Sequence, residues 1–217
     1  MPIAKERILF EDQWLLAVAK LTGELVVLGK GKLQRLPLLD FLRKSHPSLV
    51  PVHRLDFETS GVVVFAKTKQ TLQKILKDKF SGWRKTYLAL VLGCPSKASG
   101  SVDFRLPARN SDSKVEAKTE FRILEKLNGC ALVELSFERG QRHQIRRHMA
   151  MIGHPLILDE VYGDKKANKL FSRKLKLHRF LLHASAIIFP HPETGNGIQI
   201  VSPVPPVFSQ ALKKCRM

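Results

Sequence analysis

Apolar residues along this chain more often follow a strand pattern than a helical one. Residues 62–66 are five consecutive apolar residues, which predict a buried strand. An Asn-Gly pair predicts a tight turn between the two strands at 116–125 and 130–138. The other predicted strands are two within 7–19, around a Glu-Asp-Gln turn, and one each at 84–93, 181–190 and 197–202. The pattern therefore predicts a sheet-rich chain.

Helices are predicted where apolar residues recur every three or four positions. The predicted helices cover residues 36–45, about 68–80, 139–154 and 205–214. Pro37 is tolerated in the first turn of its helix, and Thr68 is a typical N-cap. Ile145 and Met149 lie four apart and predict the packed face of the third helix.

Two polar segments interrupt this pattern. Residues 97–118 are polar, basic and contain glycine and serine, which predicts a loop or a weak hairpin. Residues 164–179 hold Lys165, Lys166, Arg173 and Arg179 among further basic residues. This loop or short helix is expected to be too basic to pack tightly, and we interpret it as an arm that contacts phosphate groups.

Charge points to the class of partner. The 217 residues suit one large domain or two small ones, and without an obvious linker we expect a single domain over residues 1–217. Lys and Arg total 37 against 19 Asp and Glu, giving a net charge of +18 and a pI of about 10.1. Such an excess favours a polyanionic partner, usually nucleic acid, over an ordinary solvated basic surface.

Cysteine use and apolar runs bear on the compartment. Three cysteines lie far apart and form no Cys-x-x-Cys pair, which argues against a disulfide framework or a structural zinc and for a reducing compartment, the cytoplasm. The first residues include an acid and no long apolar core, so no signal peptide is expected. No run of about 18 apolar residues occurs, so no membrane span is expected.

One turn concentrates the candidate chemistry. His53, Arg54 and Asp56 directly precede the predicted buried strand, which would support them rigidly. Arg142 and Arg146 lie four apart in a predicted helix and would repel each other unless an anion were near. Metal-protease, phosphate-loop, dinucleotide and nucleophile-elbow motifs are absent from the sequence. A carboxylate nucleophile or base with arginine partners remains. Such a carboxylate could attack a sugar or base carbon of RNA, after the base leaves the stack.

Five ordered blocks of the sequence contain the candidate residues in a recognisable order. They are His53-Arg54-Leu55-Asp56 with Thr59-Ser60-Gly61; Lys85-Thr86-Tyr87-Leu88-Ala89; His143-Gln144-Ile145-Arg146-x-His148; Gly153-His154-Pro155-Leu156 with Asp159 and Tyr162-Gly163; and Leu182-His183-Ala184 with His191-Pro192-x-Thr194-Gly195. Together these blocks resemble the motifs of the RluA family of pseudouridine synthases, and the matches extend over nearly the whole chain.

The resemblance implies that uridine in rRNA or tRNA is isomerised to pseudouridine. Asp56 would be the nucleophile, at either the ribose C1′ or the uracil C6. Tyr87 would stack on the base and help remove the C5 proton. Arg146 would pair with Asp56, and Arg54 would fill the space left by the extruded base. No metal or organic cofactor is implied. The RNA contacts expected from these matches and from the basic segments are His53, Arg54, Lys85, Arg142, Arg147, Lys165, Lys166, Arg173 and Arg179.

The resemblance also implies an α+β fold with a mixed, largely antiparallel, bent sheet and a central RNA-binding cleft. A monomer is expected, and because the amino-terminal segment is short, the small RNA-binding domain of many relatives is not expected. Two departures affect the motifs: Ala19-Lys20-Leu21 replaces Asn-Lys-Pro, and Gly140-Gln141-Arg142 replaces Gly-Arg-[Thr/Ser]. The alternative function is a non-catalytic RNA-binding or ribosome-assembly protein.

Overall fold

The computed structural model describes residues 3–28, 36–108 and 113–217. The chain is α+β, with a large, mostly antiparallel sheet and few helices, which confirms the predicted class. The strands are β1 (Ile8–Glu11), β2 (Leu15–Lys20), β3 (Val50–Pro51), β4 (Ser60–Ala66), β5 (Arg84–Leu92), β6 (Ser99–Asp103), β7 (Leu106–Pro107), β8 (Lys114–Val115), β9 (Lys118–Leu127), β10 (Cys130–Phe137), β11 (Leu182–Pro190) and β12 (Gly197–Val201). The helices are α1 (Leu38–Arg43), α2 (Lys69–Lys77), α3 (Gln144–Met151), α4 (Lys165–Leu175) and α5 (Pro206–Arg216), and Lys5–Arg7 form a 3-10 turn.

The chain groups into two compact units, and each is built from two separate stretches of sequence. The first unit comprises Met1–Lys85 and Ala184–Pro203, and the second comprises Thr86–His183 and Val204–Met217. The chain passes between the units three times, within β5, within β11 and between Pro203 and Val204.

The sheet of the first unit is organised around β4. Its strand order is β1-β2-β4-β11, with β3 also pairing with β4 and β12 with β11. All seven residues of β4 are buried, as the apolar run predicts. β2 pairs with it antiparallel from Leu15 opposite Ala66 to Lys20 opposite Gly61. The turn before β4, which holds Asp56, therefore leads into a fully buried strand.

Gly61, in β4, has no room for a side chain. Its φ is +117°, and a Cβ built there would lie 2.2 Å from the carbonyl oxygen of Ala184 in β11. The contact is with backbone, which cannot move aside as a flexible side chain could. Glycine is therefore required two positions after Thr59, at the point where the candidate turn joins the strand.

Gly61→Ala should destabilise the protein by about 2 kcal/mol or more, because both the positive φ and the backbone clash oppose a Cβ. Denaturant unfolding followed by circular dichroism measures this change. Gly197→Ala, in β12, is the matched control, because a Cβ there meets nothing within 4 Å. A loss of stability no larger than that of the control would contradict the steric argument.

The second unit has strand order β5-β10-β9-β6 and a core closed by α4 and α5. Phe171 and Leu175 of α4 and Phe208 and Cys215 of α5 are buried in one cluster with residues of β5 and β10. Asn128-Gly129 forms the predicted turn between β9 and β10.

One expectation about the polar segments is confirmed in part and one is wrong. Residues 97–118 contain the short antiparallel pair of β7 and β8, in agreement with a weak hairpin, and also β6, which pairs with β9 along its whole length. The segment 164–179 does pack, because α4 places Phe171 and Leu175 on one face and its basic residues on the other. The basic residues of α4 therefore prevent packing on one face of the helix only.

The helical spacing expected for Arg142 is also wrong. α3 begins at Gln144, and Arg142 lies in the preceding turn. His143 has a left-handed backbone with φ +55°, which prevents the helix from extending upstream. The side chain of Gln144 closes this turn by accepting a hydrogen bond from the backbone N–H of Gln141, at 2.8 Å.

Candidate active site

Asp56 lies in the turn between β3 and β4. The backbone N–H of Thr59 donates to the Asp56 carbonyl at 3.1 Å and closes the turn. Leu55 is buried and anchors it, Asp56 is half-buried, and Arg54 is exposed. The nucleophile predicted from the sequence is therefore held on a short, anchored turn of the first unit.

Lys20, whose role the sequence leaves open, is a buried cation behind this turn. Its side chain is 1% exposed. Its ammonium group donates to the carbonyl oxygens of Leu21 at 3.0 Å, Phe57 at 3.1 Å and Thr59 at 2.6 Å. Burial lowers the pKa of Lys20 to about 8, and the charges of Glu24 and Asp56 partly oppose this shift. Lys20 thus connects the end of β2 to Phe57 and Thr59, which follow Asp56 in the turn.

His53 and Lys85 are further members of the predicted RNA-contact set in the first unit. The Nε2 atom of His53 accepts a hydrogen bond from the backbone N–H of Val64 at 3.2 Å. Burial, and then the charge of Lys85, lower the pKa of His53 to about 3, so its ring is neutral at pH 7. The Lys85 ammonium lies over the rings of Phe80 and Trp83, and burial lowers its pKa to about 8. RNA contact by His53 and Lys85 stays a prediction.

Arg146 in the second unit forms a buried, two-point ion pair with Asp159. Its Nε donates to Oδ2 at 2.6 Å and its Nη2 to Oδ1 at 2.8 Å. Burial alone would raise the pKa of Asp159. The bonds from Arg146 and from the backbone N–H groups of Tyr162 and Val161 outweigh this effect and hold that pKa below its usual range. A guanidinium has five donors, so Arg146 can bind a second acceptor while Asp159 aligns it.

Two rings hold the plane of the Arg146 guanidinium. Its central carbon lies 5.0 Å from the ring centre of Tyr162 and 4.5 Å from that of Phe180. Cations over aromatic faces are attracted by the ring quadrupole. The expected pairing of Arg146 with Asp56 stays a prediction.

Tyr87, on β5, is 7% exposed and stacks on Phe137 of β10, with ring centres 5.3 Å apart and planes 19° apart. The second unit thus presents this predicted base-stacking residue with its ring already fixed by a neighbour. Its role in stacking or proton removal is not tested by these contacts.

A second aromatic centre, Tyr162, orders the start of α3. Its hydroxyl bonds to Nδ1 of His143 at 3.1 Å and accepts from Nε of Arg147 at 2.9 Å. Arg142 is exposed in the turn before α3, and Arg147 is half-buried against the Tyr162 ring. RNA contact by Arg142 and Arg147 stays a prediction.

A buried polar network, which the sequence reasoning did not identify, fixes α3 against the sheet. The Gln144 amide donates to the Lys118 carbonyl at 2.9 Å and to the Thr119 hydroxyl at 3.0 Å. His148 contacts the same hydroxyl at 2.9 Å and the Phe104 carbonyl at 3.0 Å. Burial lowers the pKa of His148, which favours its neutral form. Gln144 and His148 lie on either side of Arg146 in the matched motif. Their position in that motif is the sequence signal that could have identified them.

The basic residues of α4 form an outward face. We call Lys165, Lys166, Lys169, Arg173 and Lys174 the basic face of α4, and all five are exposed. The helix has no acidic residue, and Asp164 caps it by accepting from the N–H of Ala167. Arg179 follows the helix and is half-buried. Such a face, with no acid in its helix, suits a polyanion.

Neither a metal cluster nor a membrane-spanning helix occurs in the described part of the chain. Within residues 3–28, 36–108 and 113–217, no group of three or more His, Cys, Asp or Glu side chains is arranged to hold a metal ion. Among the helices in those ranges, none is long and apolar enough to cross a membrane.

Known proteins share both the sequence and the fold of this chain. A family model described as RNA pseudouridylate synthase matches residues 15–151. "Ribosomal large subunit pseudouridine synthase C" of Pasteurella multocida (strain Pm70) is 35% identical over 98% of this chain and 68% of its own length. The protein with the same name from Buchnera aphidicola subsp. Schizaphis graminum (strain Sg) is 34% identical over 94% and 69%.

A solved structure extends the likeness to three dimensions. "Human RNA Pseudouridylate Synthase Domain Containing 4" superposes with a TM-score of 0.77 and 26% identity, covering 96% of this chain and 92% of its own. The matched region includes Asp56, Tyr87 and Arg146 within residues 15–151. The resemblance seen in the five sequence blocks is confirmed, and the chain belongs to the RNA pseudouridylate synthase family, whose members isomerise uridine in RNA to pseudouridine.

Proposed function

We propose that this protein isomerises one or more uridines of large-subunit ribosomal RNA to pseudouridine, with Asp56 as the nucleophile. The observation that carries the proposal is the complete His53-Arg54-Leu55-Asp56 turn, anchored on a buried strand and backed by the Lys20 cation. The names of the Pasteurella and Buchnera relatives support ribosomal RNA over transfer RNA.

The reaction requires one carboxylate and no net gain or loss of atoms. Asp56 adds to the ribose C1′ or to the uracil C6, and the bond between C1′ and N1 breaks. The uracil turns, C5 bonds to C1′, and the C5 proton leaves while N1 gains one. Asp56 is then released. The product is an isomer of the substrate, so the reaction consumes no redox agent and no energy source.

We assign supporting roles to four residues. Tyr87 stacks on the extruded uracil and assists loss of the C5 proton, and its ring is already ordered by Phe137. Arg146 keeps Asp56 ionised, because a nearby positive charge favours the charged carboxylate. Asp159 aims Arg146 for this purpose. Arg54, exposed beside Asp56, fills the space from which the base leaves.

RNA affinity would come from basic side chains of both units. His53, Arg54 and Lys85 lie in the first unit. Arg142, Arg147, Lys165, Lys166, Arg173 and Arg179 lie in the second. We propose that residues 1–217 act as one catalytic domain, as a monomer, in the cytoplasm where ribosomal RNA is found in bacteria.

The triple variant Lys165→Gln, Lys166→Gln and Arg173→Gln should weaken RNA binding uniformly across sequences. The slope of log affinity against log salt should fall by about one for each phosphate that the variant no longer neutralises. Filter binding at several salt concentrations measures the slope. The control Lys69→Gln, Lys74→Gln and Lys77→Gln removes the same charge from α2. Equal slopes for both triple variants would contradict a specific role for the basic face of α4.

Pseudouridine mapping tests the proposed function directly. Bulk RNA from a strain lacking the protein is separated into ribosomal and transfer fractions, incubated with the purified protein, and mapped. New pseudouridine in large-subunit ribosomal RNA is the expected result. Modification of transfer RNA alone would correct the substrate, and binding without new pseudouridine would favour the non-catalytic RNA-binding alternative.

A further inference from the structure

Lys20 is joined to the turn of Asp56 by direct hydrogen bonds across 37 and 39 residues of sequence. Its ammonium binds the carbonyl oxygens of Phe57 and Thr59, on the carboxyl side of the nucleophile, and that of Leu21 next to itself. The Phe57 carbonyl also accepts the backbone N–H of Gly23 at 2.9 Å. A single buried cation therefore holds this turn, in addition to the burial of Leu55 and the backbone bond that closes it.

The charged groups near Lys20 do not compete with these carbonyl oxygens for its ammonium group. Glu24, Asp56 and Arg7 are the charged groups that act on it. Glu24 is already bound by the guanidinium of Arg7 through both of its oxygens. Within the described part of the chain, no carboxylate forms an ion pair with Lys20, so the cation serves backbone acceptors rather than a salt bridge.

The two residues flanking Lys20 reinforce its placement through their backbones. The Ala19 carbonyl accepts from Nε of Arg7 at 2.9 Å, and the Leu21 N–H donates to Glu24 at 2.8 Å. A proline at position 21 would have no N–H to give. The departure from the family pattern at Ala19-Lys20-Leu21 therefore supplies a backbone contact that holds Lys20 in place.

We propose that Lys20, in its protonated form, is the positioning residue for Asp56, because two of its three N–H donors hold backbone carbonyls of the turn that carries this nucleophile and the third binds the neighbouring Leu21 carbonyl. The proposal rests on the function proposed above. A neutral lysine has two N–H donors and a lone pair, so it cannot satisfy three carbonyl oxygens. Loss of one proton would leave one of the three carbonyl oxygens without a donor and remove the charge that strengthens the other two hydrogen bonds, which would loosen the turn and misplace the Asp56 carboxylate.

The pH at which Lys20 loses this proton is far below the usual pKa range of lysine. Burial lowers the pKa of Lys20 to about 8, with opposing effects from Glu24 and Asp56 and a smaller effect of Arg7 in the same direction as burial. Between this pKa and the unfolded value of about 10.4, the unfolded chain binds more protons at this site than the folded one. Folding stability from Lys20 therefore rises with pH in that window. In that window, activity should fall while folding stability rises. A lysine with only a structural role would not produce this difference.

The test compares wild type, Lys20→Met and Lys20→Arg by single-turnover pseudouridine formation from pH 6.5 to 9.5, with thermal unfolding at each pH. At pH 7, Lys20→Met should lower kcat by about 10- to 100-fold and change KM by less than about threefold, since binding groups are untouched. The wild-type rate should fall with a midpoint near pH 8. Lys20→Met should lose that midpoint, and Lys20→Arg should move it upward because arginine stays charged.

Lys67→Met is the matched control: Lys67 pairs with Glu11 next to β4 and should keep both the rate and the midpoint of wild type. An unchanged kcat in Lys20→Met, or the same alkaline midpoint in all variants, would overturn the proposal. If Lys20→Met does not fold, the Lys20 pKa is measured in wild type by NMR of labelled lysine. A value more than about one pH unit from the midpoint of the rate would also overturn it. Absence of pseudouridine at every pH in wild type would instead overturn the proposed function.

Discussion

Asp56→Asn should abolish pseudouridine formation while leaving RNA binding within about threefold of wild type. Asparagine keeps the size of the side chain but cannot supply the carboxylate nucleophile, so a loss of at least about 10⁴-fold in single-turnover rate is expected. The measurement is a time course of pseudouridine in the ribosomal fraction that wild type modifies, combined with a binding isotherm for the same RNA.

Asp78→Asn is the control for charge. Asp78 is exposed after α2 and its replacement raises the net charge by the same amount. Its rate should stay within about twofold of wild type, because surface substitutions away from structural features have small effects. Full activity of Asp56→Asn would show that another group is the nucleophile, and equal losses in both variants would trace the effect to charge.

Asp159→Asn should destabilise the protein by about 3–5 kcal/mol, because it removes the negative charge of Asp159 from the buried Arg146 guanidinium. Asp159 is 0% exposed and Arg146 is 6% exposed, so solvent cannot replace the lost carboxylate. Asparagine retains an oxygen for the N–H groups of Val161 and Tyr162. The effect should therefore come mainly from the charge. Urea unfolding at pH 7 gives the free energy.

Glu134→Gln provides the comparison with a solvated pair. Arg122 and Glu134 lie 2.9 Å apart on the strands β9 and β10, with side chains 64% and 32% exposed. Removing this charge should cost less than about 1 kcal/mol, as exposed pairs contribute little. A similar small change for Asp159→Asn would mean that Arg146 is not dependent on Asp159.

Local sequence signals predicted the elements that hold the site. The apolar run at 62–66 predicted the buried strand β4, and Thr68 caps α2 by accepting from the N–H of Thr71. These signals act between neighbours, so they can be seen in a single sequence. The end of α2 at Lys77 was less visible, because the left-handed residues Lys79 and Phe80 carry no glycine signal.

Contacts between distant residues could not be predicted in the same way. Arg146 was selected from its motif, but its partner Asp159 lies 13 residues later. The three carbonyls bound by Lys20 belong to backbone, which leaves no trace in side-chain identity. Arg142 was placed on the helix because the motif gives no sign that His143 adopts a left-handed backbone.

The two-part make-up of the first unit has a consequence for how the protein is made. β4 lies between β2 and β11, yet residues 86–181 are synthesised before β11 emerges from the ribosome. Until then the edge of this uncharged, largely apolar strand that faces away from β2 is paired only with the two residues of β3, and an open edge of this kind promotes intermolecular pairing. Pairing across so many residues is also slow. The strand that follows the Asp56 turn is therefore fully enclosed in its sheet only after residues 184–203 have been translated.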